Sequence, residues 1–476
     1  MRIRLLLLVT ALLVTALATS AHAAELPHIK HLFVIVEENE NAEESFSADP
    51  PAPYLGKTMV EEGALLPNYF GIGHQSLDNY LALVSGQPPN LATQTDCLIY
   101  TDMLAPGTEP DGVAVGQGCV FPASVQTIAG QLEETGHTWR SYNQDMAAGA
   151  KEGEATTCRH PSIGSYDQTQ VASATNQYAA RHDPFVYFHS ITDSETCNRN
   201  VVDLTRLPED LESLATSPEY AFITPDLCYD GHDATCADGV SPGGYMGINA
   251  FLEEWVPRIK ASPAYRDHGA IMVTFDESET GAESCCDEPL GPNTLNNGGI
   301  MPGNGGGRVG AVIESPCIKA GTISLDNYNH YSALRWIEDN WGLSHLADAS
   351  TDGLRPFGSD VFTNPACDTG LATGSGGGRG GGGGGSGGGR SIPEPRPATH
   401  LGITPRHVPA GKLALLTLSL SSDIATCRAG APVHIDGHKT HTSRKGIARI
   451  KARLPEGRWT AVARPPGCKA AKAFVH

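Results

Sequence analysis

Three short stretches of this 476-residue chain place acids and a hydroxyl where they could do chemistry. The apolar run Leu32-Phe33-Val34-Ile35-Val36 ends abruptly in Glu37-Glu38-Asn39, and the run Ile271-Met272-Val273-Thr274-Phe275 ends in Asp276-Glu277. A strand apolar on both faces belongs inside a parallel sheet, and ligands of open α/β sheets collect beyond the carboxyl ends of strands. Two acid clusters meeting at one edge would hold a hard cation through oxygen; either cluster alone is weak evidence, because acids after a strand are usually solvated loop residues or helix caps. The third stretch runs from His74 through Gln75-Ser76-Leu77-Asp78-Asn79-Tyr80 to Gly86. Leu77, Tyr80, Leu81 and Val84 follow helical spacing, so Ser76 opens a helix and Gly86 lies just past its end. A hydroxyl there is either an N-cap or a nucleophile, since helix N-terminal amides receive phosphate and a bound metal lowers a serine pKa. Asn79, one turn later, is spaced to bond a non-bridging phosphate oxygen.

Histidines supply the remaining candidates. His232 lies between Asp230 and Asp233, acids able to orient its ring and hold it protonated. His182, ahead of Asp183-Pro184, reads as a turn cap or a site residue, and His330 as a backbone-bonded residue opening the last helix or a site residue. His74 stays open between packing and substrate contact.

Positioning these residues takes a mixture of two periods, which predicts an α/β fold. Strands are expected over 31–36, 221–224, 270–275 and 308–313, and helices over 124–135, 246–260 and 331–340. The Gly-, Asn- and Pro-rich stretch 278–307 reads as a loop over one end of the sheet. Nearly every residue from Gly374 to Gly389 is glycine, followed by Pro393-Glu394-Pro395-Arg396-Pro397, which marks a linker. Beyond it, 413–420, 433–435, 447–454 and 459–463 are β-prone and suggest a small immunoglobulin-like sandwich. At the other end, Arg2 and Arg4, the apolar run 5–17 and Ala21-His22-Ala23 read as an export signal. The expected division is 1–23 signal peptide, 24–372 catalytic domain, 373–398 linker and 399–476 basic domain.

Twelve cysteines in an exported chain predict up to six disulfides; Cys427 with Cys468, beyond the linker, is the one pair readable from position. From Arg390 onward fifteen Lys/Arg face four Asp/Glu, a balance of +11, which leaves −31 on the rest of a chain whose total is −20. An acidic body argues against nucleic acid as its partner. The basic segment suits electrostatic contact with anionic cell-wall polymers or lipid headgroups, or serves only as a solubilising module.

The order of the motifs resembles a known family. Val34-Ile35-Val36-Glu37-Glu38-Asn39, His74-Gln75-Ser76-Leu77-Asp78-Asn79-Tyr80, Arg181-His182-Asp183-Pro184-Phe185, Asp230-Gly231-His232-Asp233, Thr274-Phe275-Asp276-Glu277 and Asn329-His330-Tyr331-Ser332 are similar to the bacterial phosphoesterases that include phospholipases C and secreted acid phosphatases. The likeness is greatest to the compact acid phosphatases and covers roughly 29–362. It implies an alkaline-phosphatase-like fold with a central, mostly parallel sheet. It further implies a metal site of Glu38, Asn39, Ser76, Asp276 and Glu277, with Ser76 the nucleophile, and His232 beside the phosphate. Asn79 would bind phosphate, with His182 and His330 as further active-site histidines. Asp226 and Tyr229 stand where Asn is common, and an insertion containing Cys285-Cys286 follows Asp276-Glu277. The activity implied is a secreted or cell-surface phosphomonoesterase that uses Ca²⁺, Mg²⁺, Mn²⁺ or Zn²⁺. The alternatives are a phospholipase C-type phosphodiesterase and a non-catalytic surface-binding protein anchored by its basic domain.

Overall fold

The computed structural model describes residues 26–147, 155–299, 303–364 and 367, together with the strands between 400 and 475 and a few residues beside them. The expected export signal, the glycine linker and the Cys427–Cys468 pair lie outside the described residues. The chain separates into two compact units, Met1–Gly374 and Ser375–His476.

The first unit is built on an eight-stranded sheet. Its strands are β1 (His31–Glu37), β2 (Ala64–Leu66), β3 (Trp139–Asn143), β4 (Val201–Asp203), β5 (Tyr220–Thr224), β6 (Gly269–Phe275), β7 (Ala311–Glu314) and β8 (Thr322–Ile323). In space the order is β8-β2-β7-β6-β1-β5-β3-β4. The run β6-β1-β5-β3-β4 is parallel throughout, while β7 is antiparallel to both β6 and β2. Every residue of β1, β5 and β6 is buried, the burial on both faces that their apolar runs require. Strand β7 begins three residues later than its sequence pattern suggests, because Gly310 turns the chain at φ +75°. Strand β3, Trp-Arg-Ser-Tyr-Asn, carries no apolar run; its buried polar residues are reconciled locally, with Asn143 Nδ2 donating to Ser141 Oγ at 3.0 Å.

The principal helices are α1 (Ser76–Ser85), α2 (Ile128–Thr135), α3 (Gly244–Ala261) and α4 (His330–Trp341). Helix α2 starts at Ile128 because Thr127 caps it, accepting the Gly130 amide at 3.2 Å. Helix α3 buries Phe251, Trp255 and Ile259, one face at fourfold spacing. Among the described residues no helix is long and apolar enough to cross a membrane.

Among the described residues five disulfides join Cys97–Cys119, Cys158–Cys197, Cys228–Cys236, Cys285–Cys286 and Cys317–Cys367. The second unit contains two antiparallel sheets, one of three strands and one of four. Leu416, Leu418 and Leu420 from one and Val433 and Ile435 from the other share an apolar cluster, each set alternating with polar neighbours as a two-residue period demands.

Candidate active site

The parallel register of β1 and β6 pairs Glu37 with Phe275, so Glu38 and Asp276 leave adjacent strands at the same carboxyl edge. Asn39 turns there at φ +54°, a conformation Asn tolerates better than most residues. Its amide donates to Asp276 Oδ1 at 3.0 Å, which fixes the two strand ends relative to each other. From β5 the chain reaches Asp230, whose carbonyl accepts the Glu38 amide at 2.7 Å. Gly231 then adopts φ +112°, and a Cβ there would meet Ile248 Cδ1 at 2.6 Å and Glu38 O at 3.1 Å, so only glycine fits. The Cys228–Cys236 disulfide closes this loop around Asp230 and His232.

Helix α1 delivers Ser76 to the same place. Gln75 is the N-cap and Ser76 the first helical residue; the Ser76 hydroxyl does not cap the helix but donates to Glu38 Oε2 at 3.0 Å. Tyr80, one turn on, donates to Glu38 Oε1 at 3.0 Å. Gly86 ends the helix at φ +68°. The second amide of α1, Leu77 N–H, is taken by Asp96 Oδ1 at 3.0 Å. Arg181 Nε lies 3.9 Å from the other oxygen of Asp96.

His182 is fully buried, stacked on Tyr80 with ring centroids 5.2 Å apart. Its Nε2 lies 3.1 Å from Glu38 Oε1 and its Nδ1 3.5 Å from Asp230 Oδ2. Glu38, His182 and Asp230 thereby form a buried group whose ligand atoms lie within 4.8 Å of one another and could hold a metal ion. Glu277 is reached through His74, whose Nδ1 lies 3.5 Å from Glu277 Oε2 while its Nε2–H donates to Gly281 O at 2.7 Å in the insertion.

Two residues expected to touch substrate have other work here. Asn79 accepts the amides of Ile72 at 2.7 Å and Gly73 at 3.0 Å and donates to the carbonyls of Gly73 and Gln75. Its hydrogen bonds run to the turn that presents Ser76, which it holds in place. His330 Nε2–H donates to the Asp276 carbonyl at 2.6 Å, and its Nδ1 lies 3.0 Å from the Tyr69 hydroxyl. It braces the Asp276 backbone from behind, with no exposed surface of its own. His232 is set apart from the buried group: its ring is 46% exposed, and Nδ1 lies 2.9 Å from Asp233 Oδ1.

A model of the phosphoesterase family matches residues 49–344. The chain belongs to the phosphoesterase family. Similar proteins include a phosphate-repressible acid phosphatase of Penicillium chrysogenum, 28% identical over 288 residues, 60% of this chain and 54% of that one. A probable acid phosphatase of Kluyveromyces lactis is 25% identical over 318 residues, 67% of this chain and 59% of that one. A phosphatidylinositol-3-phosphatase of Mycobacterium tuberculosis is 22% identical over 321 residues, 67% of this chain and 80% of that one. The chain thus spans little more than half the length of the two fungal relatives. Among solved structures, a protein of the alkaline phosphatase superfamily from Vibrio parahaemolyticus covers 71% of this chain and 73% of its own at 13% identity and a TM-score of 0.38; the fold assignment rests on the sheet itself.

The site of this phosphoesterase-family chain is electrostatically unbalanced. Burial, then repulsion from Asp276 and Asp230, raises the Glu38 carboxyl well above the usual carboxylate range, with Arg181 offsetting part of it. Burial raises Asp230, Asp276 and Glu277 in the same direction. Burial, reinforced by the Arg181 charge, pushes His182 well below its ordinary value, which keeps the ring neutral and able to act as a ligand. His232 is raised, chiefly by its hydrogen bond to Asp233. Arg181, Asp96, Tyr80 and Asp230 were not singled out as site residues from sequence. Arg181 and Asp230 lie inside matched motifs, whereas no local signal marks Asp96, whose position depends on the packing of a loop against α1.

Proposed function

We propose that the protein is a secreted, metal-dependent phosphomonoester hydrolase, acid-phosphatase-like, that works through a phosphoserine intermediate. The observation that carries this reading is the Ser76 hydroxyl at the start of α1, donating to a buried glutamate amid three further buried carboxylates. Asn39 Oδ1, Asp276 Oδ2, Glu277 Oε2 and Asp230 Oδ2 are buried without hydrogen-bond donors, which is what a cation site of hard oxygens requires. Glu38, Asn39, Ser76, Asp276 and Glu277 would hold the ion, with the Glu38, His182 and Asp230 group able to take another. A divalent cation bound there supplies charge stabilisation for the serine alkoxide and the phosphoryl oxygens; the oxygen-rich donor set suits Ca²⁺, Mg²⁺ or Mn²⁺, and the histidine admits Zn²⁺.

The chain's own residues do the rest. Glu38 orients the Ser76 hydroxyl and directs its proton away from the attacking lone pair. Glu38 Oε2, which accepts the Ser76 hydroxyl, takes its proton as Oγ bonds to phosphorus and the ester P–O bond breaks. His232, held protonated by Asp233, gives the departing alcohol its proton. Water then cleaves the phosphoserine: it gives a proton back to His232, Ser76 Oγ leaves phosphorus with the proton returned from Glu38, and phosphate departs. Arg181 contributes a buried positive charge beside the reacting group. In Ser76→Ala, turnover of a chromogenic phosphomonoester should fall at least about 10³-fold with the fold intact. Retained turnover would remove the serine from the mechanism, and parallel assay of a phosphodiester fixes the class of ester.

The organisation follows the same reading: export signal over 1–23, catalytic domain over 24–372, linker over 373–398, and over 399–476 a basic, immunoglobulin-like sandwich that contacts anionic wall polymers or headgroups. Removal of residues after Gly374 should leave turnover of a soluble ester unchanged, and a loss of activity would assign the tail to the catalytic unit.

A further inference from the structure

His74 stands in the turn before the nucleophile and takes no part in the steps above. It is 6% exposed and its neighbour Glu277 4%, so the space between the two side chains is shielded from water. A backbone carbonyl only accepts, so the Gly281 carbonyl, 2.7 Å from Nε2, fixes the proton of the neutral ring on that nitrogen. Nδ1 then carries none, and it faces Glu277 Oε2 at 3.5 Å. That oxygen receives no hydrogen bond from the protein. With the carboxylate ionised, two buried lone-pair donors therefore face each other. A buried acceptor left unmet costs free energy, and two in contact also repel; one cation between them removes both penalties. Bond lengths agree, because ions bind histidine nitrogen and carboxylate oxygen at about 2.1 Å, and two such bonds at a tetrahedral angle set the donor atoms about 3.4 Å apart.

The far side of the ring is arranged as it is for a ligand. A metal-bound histidine almost always donates its other N–H to a carboxylate, a carbonyl or water, which fixes ring orientation and tautomer. The Gly281 carbonyl that plays this part is itself held. The Gly281 amide donates to Ser278 Oγ at 2.7 Å, and Ser278 Oγ donates to Asn41 Oδ1 at 2.8 Å, two residues beyond Asn39. A Cβ on Gly307, at φ +76°, would lie 2.4 Å from the Gly281 oxygen, so glycine there leaves the carbonyl its place. The stem of the insertion thus presents a fixed acceptor to His74, and His74 presents a fixed nitrogen to Glu277. Every other donor assigned to the ion beside Glu277 is an oxygen.

We propose that His74 Nδ1 is a further ligand of the cation, shared with Glu277 Oε2, and that this nitrogen turns the site toward Zn²⁺ and away from Ca²⁺. The assignment rests on the metal-dependent reading above. The test uses the full chain freed of metal by a chelator, in wild type, His74→Ala and His74→Gln. Zn²⁺ affinity is read by competition with a chromophoric chelator and Ca²⁺ affinity by calorimetry. Gln places an amide N–H where Nε2 stands and keeps the bond to Gly281, but has no donor atom at the Nδ1 position; melting curves in chelator check that both variants fold. Loss of a partner behind a ligand already costs about 10–100-fold in metal affinity, so loss of the ligand should lower Zn²⁺ affinity at least about 100-fold in both variants. Ca²⁺ affinity, which oxygens supply, should change less than about threefold. Recovery of Zn²⁺ affinity in His74→Gln, or equal falls for the two ions, would reduce the ring to a positioning residue and overturn the ligand. Zn²⁺ binding lost in Glu277→Gln yet unchanged in both His74 variants would overturn it as well, with the metal site left standing. A wild type that binds neither ion would instead sink the metal-dependent reading itself.

Discussion

Asp210 and Glu38 are both buried carboxylates, and the protein surrounds them in opposite ways. Asp210 accepts from Arg140, from Arg206 Nε at 3.1 Å and from the Tyr142 hydroxyl at 2.8 Å, so its charge is met by two guanidiniums and a phenol. Glu38 receives the hydroxyls of Ser76 and Tyr80, has the neutral His182 ring 3.1 Å from Oε1, faces Asp276, Asp230 and Glu277, and shares the charge of Arg181 with Asp230 and Glu277. The first arrangement stabilises a fold by itself. The second holds repulsion that folding alone does not relieve, and becomes balanced once a cation is bound.

Glu38→Gln breaks the second arrangement. Activity with metal present should fall on the order of 10³-fold. In chelator, however, the melting temperature should rise, by about 1–2 °C for each kcal/mol of repulsion removed; a variant less stable than wild type in chelator would show that the acids are not in conflict. Asp210→Ala breaks the first. It should cost about 3 kcal/mol, the low end for a broken buried pair because Arg140 and Arg206 reach solvent, and leave kcat unaltered. Denaturant unfolding beside steady-state kinetics reads both, and a fall in kcat at constant stability would place Asp210 in the site.

A smaller effect sharpens the contrast at a third carboxyl. Glu338 on α4 accepts the Leu346 amide at 2.9 Å, and burial pushes its pKa from 4.5 up to about 9. The folded state therefore binds this proton more tightly than the unfolded state. The associated stability is fully present below pH 4.5 and is lost as pH rises from there to about 9. Glu338→Gln, which keeps the acceptor and cannot ionise, should gain stability over wild type increasingly across that window. Melting curves at pH 5, 7 and 9 would show it, and a constant difference would contradict a buried neutral acid.

Much of this was legible beforehand, and for identifiable reasons. β1 and β6 announce themselves because a strand buried on both faces must be apolar at every position, and the acids that follow mark where burial in the sheet ends. The start of α1 at Ser76 follows from the spacing of Leu77, Tyr80, Leu81 and Val84 and from Gly86 beyond them. β3 was not legible, because its polar residues bond one another and the acids Asp183 and Asp210 outside the strand, which leaves no apolar period to detect. The bonds of Asn79 to the turn before Ser76 and of His330 to the Asp276 carbonyl were not legible, because residue type and motif order do not say which backbone groups a side chain will brace.

By itself the sequence determined the α/β class, the strand ends that carry Glu38 and Asp276, the helix that carries Ser76, and the opposed charges of body and tail. These follow from local periodicity and composition, which each segment carries independently. Tertiary structure alone decided that Ser76 donates to Glu38, that His182 sits between Glu38 and Asp230, and that Asp96 and Arg181 complete the surroundings of α1. Those contacts join residues 19 to 144 positions apart in the chain, and their geometry comes from strand register and loop packing, quantities that exist only once the sheet has formed.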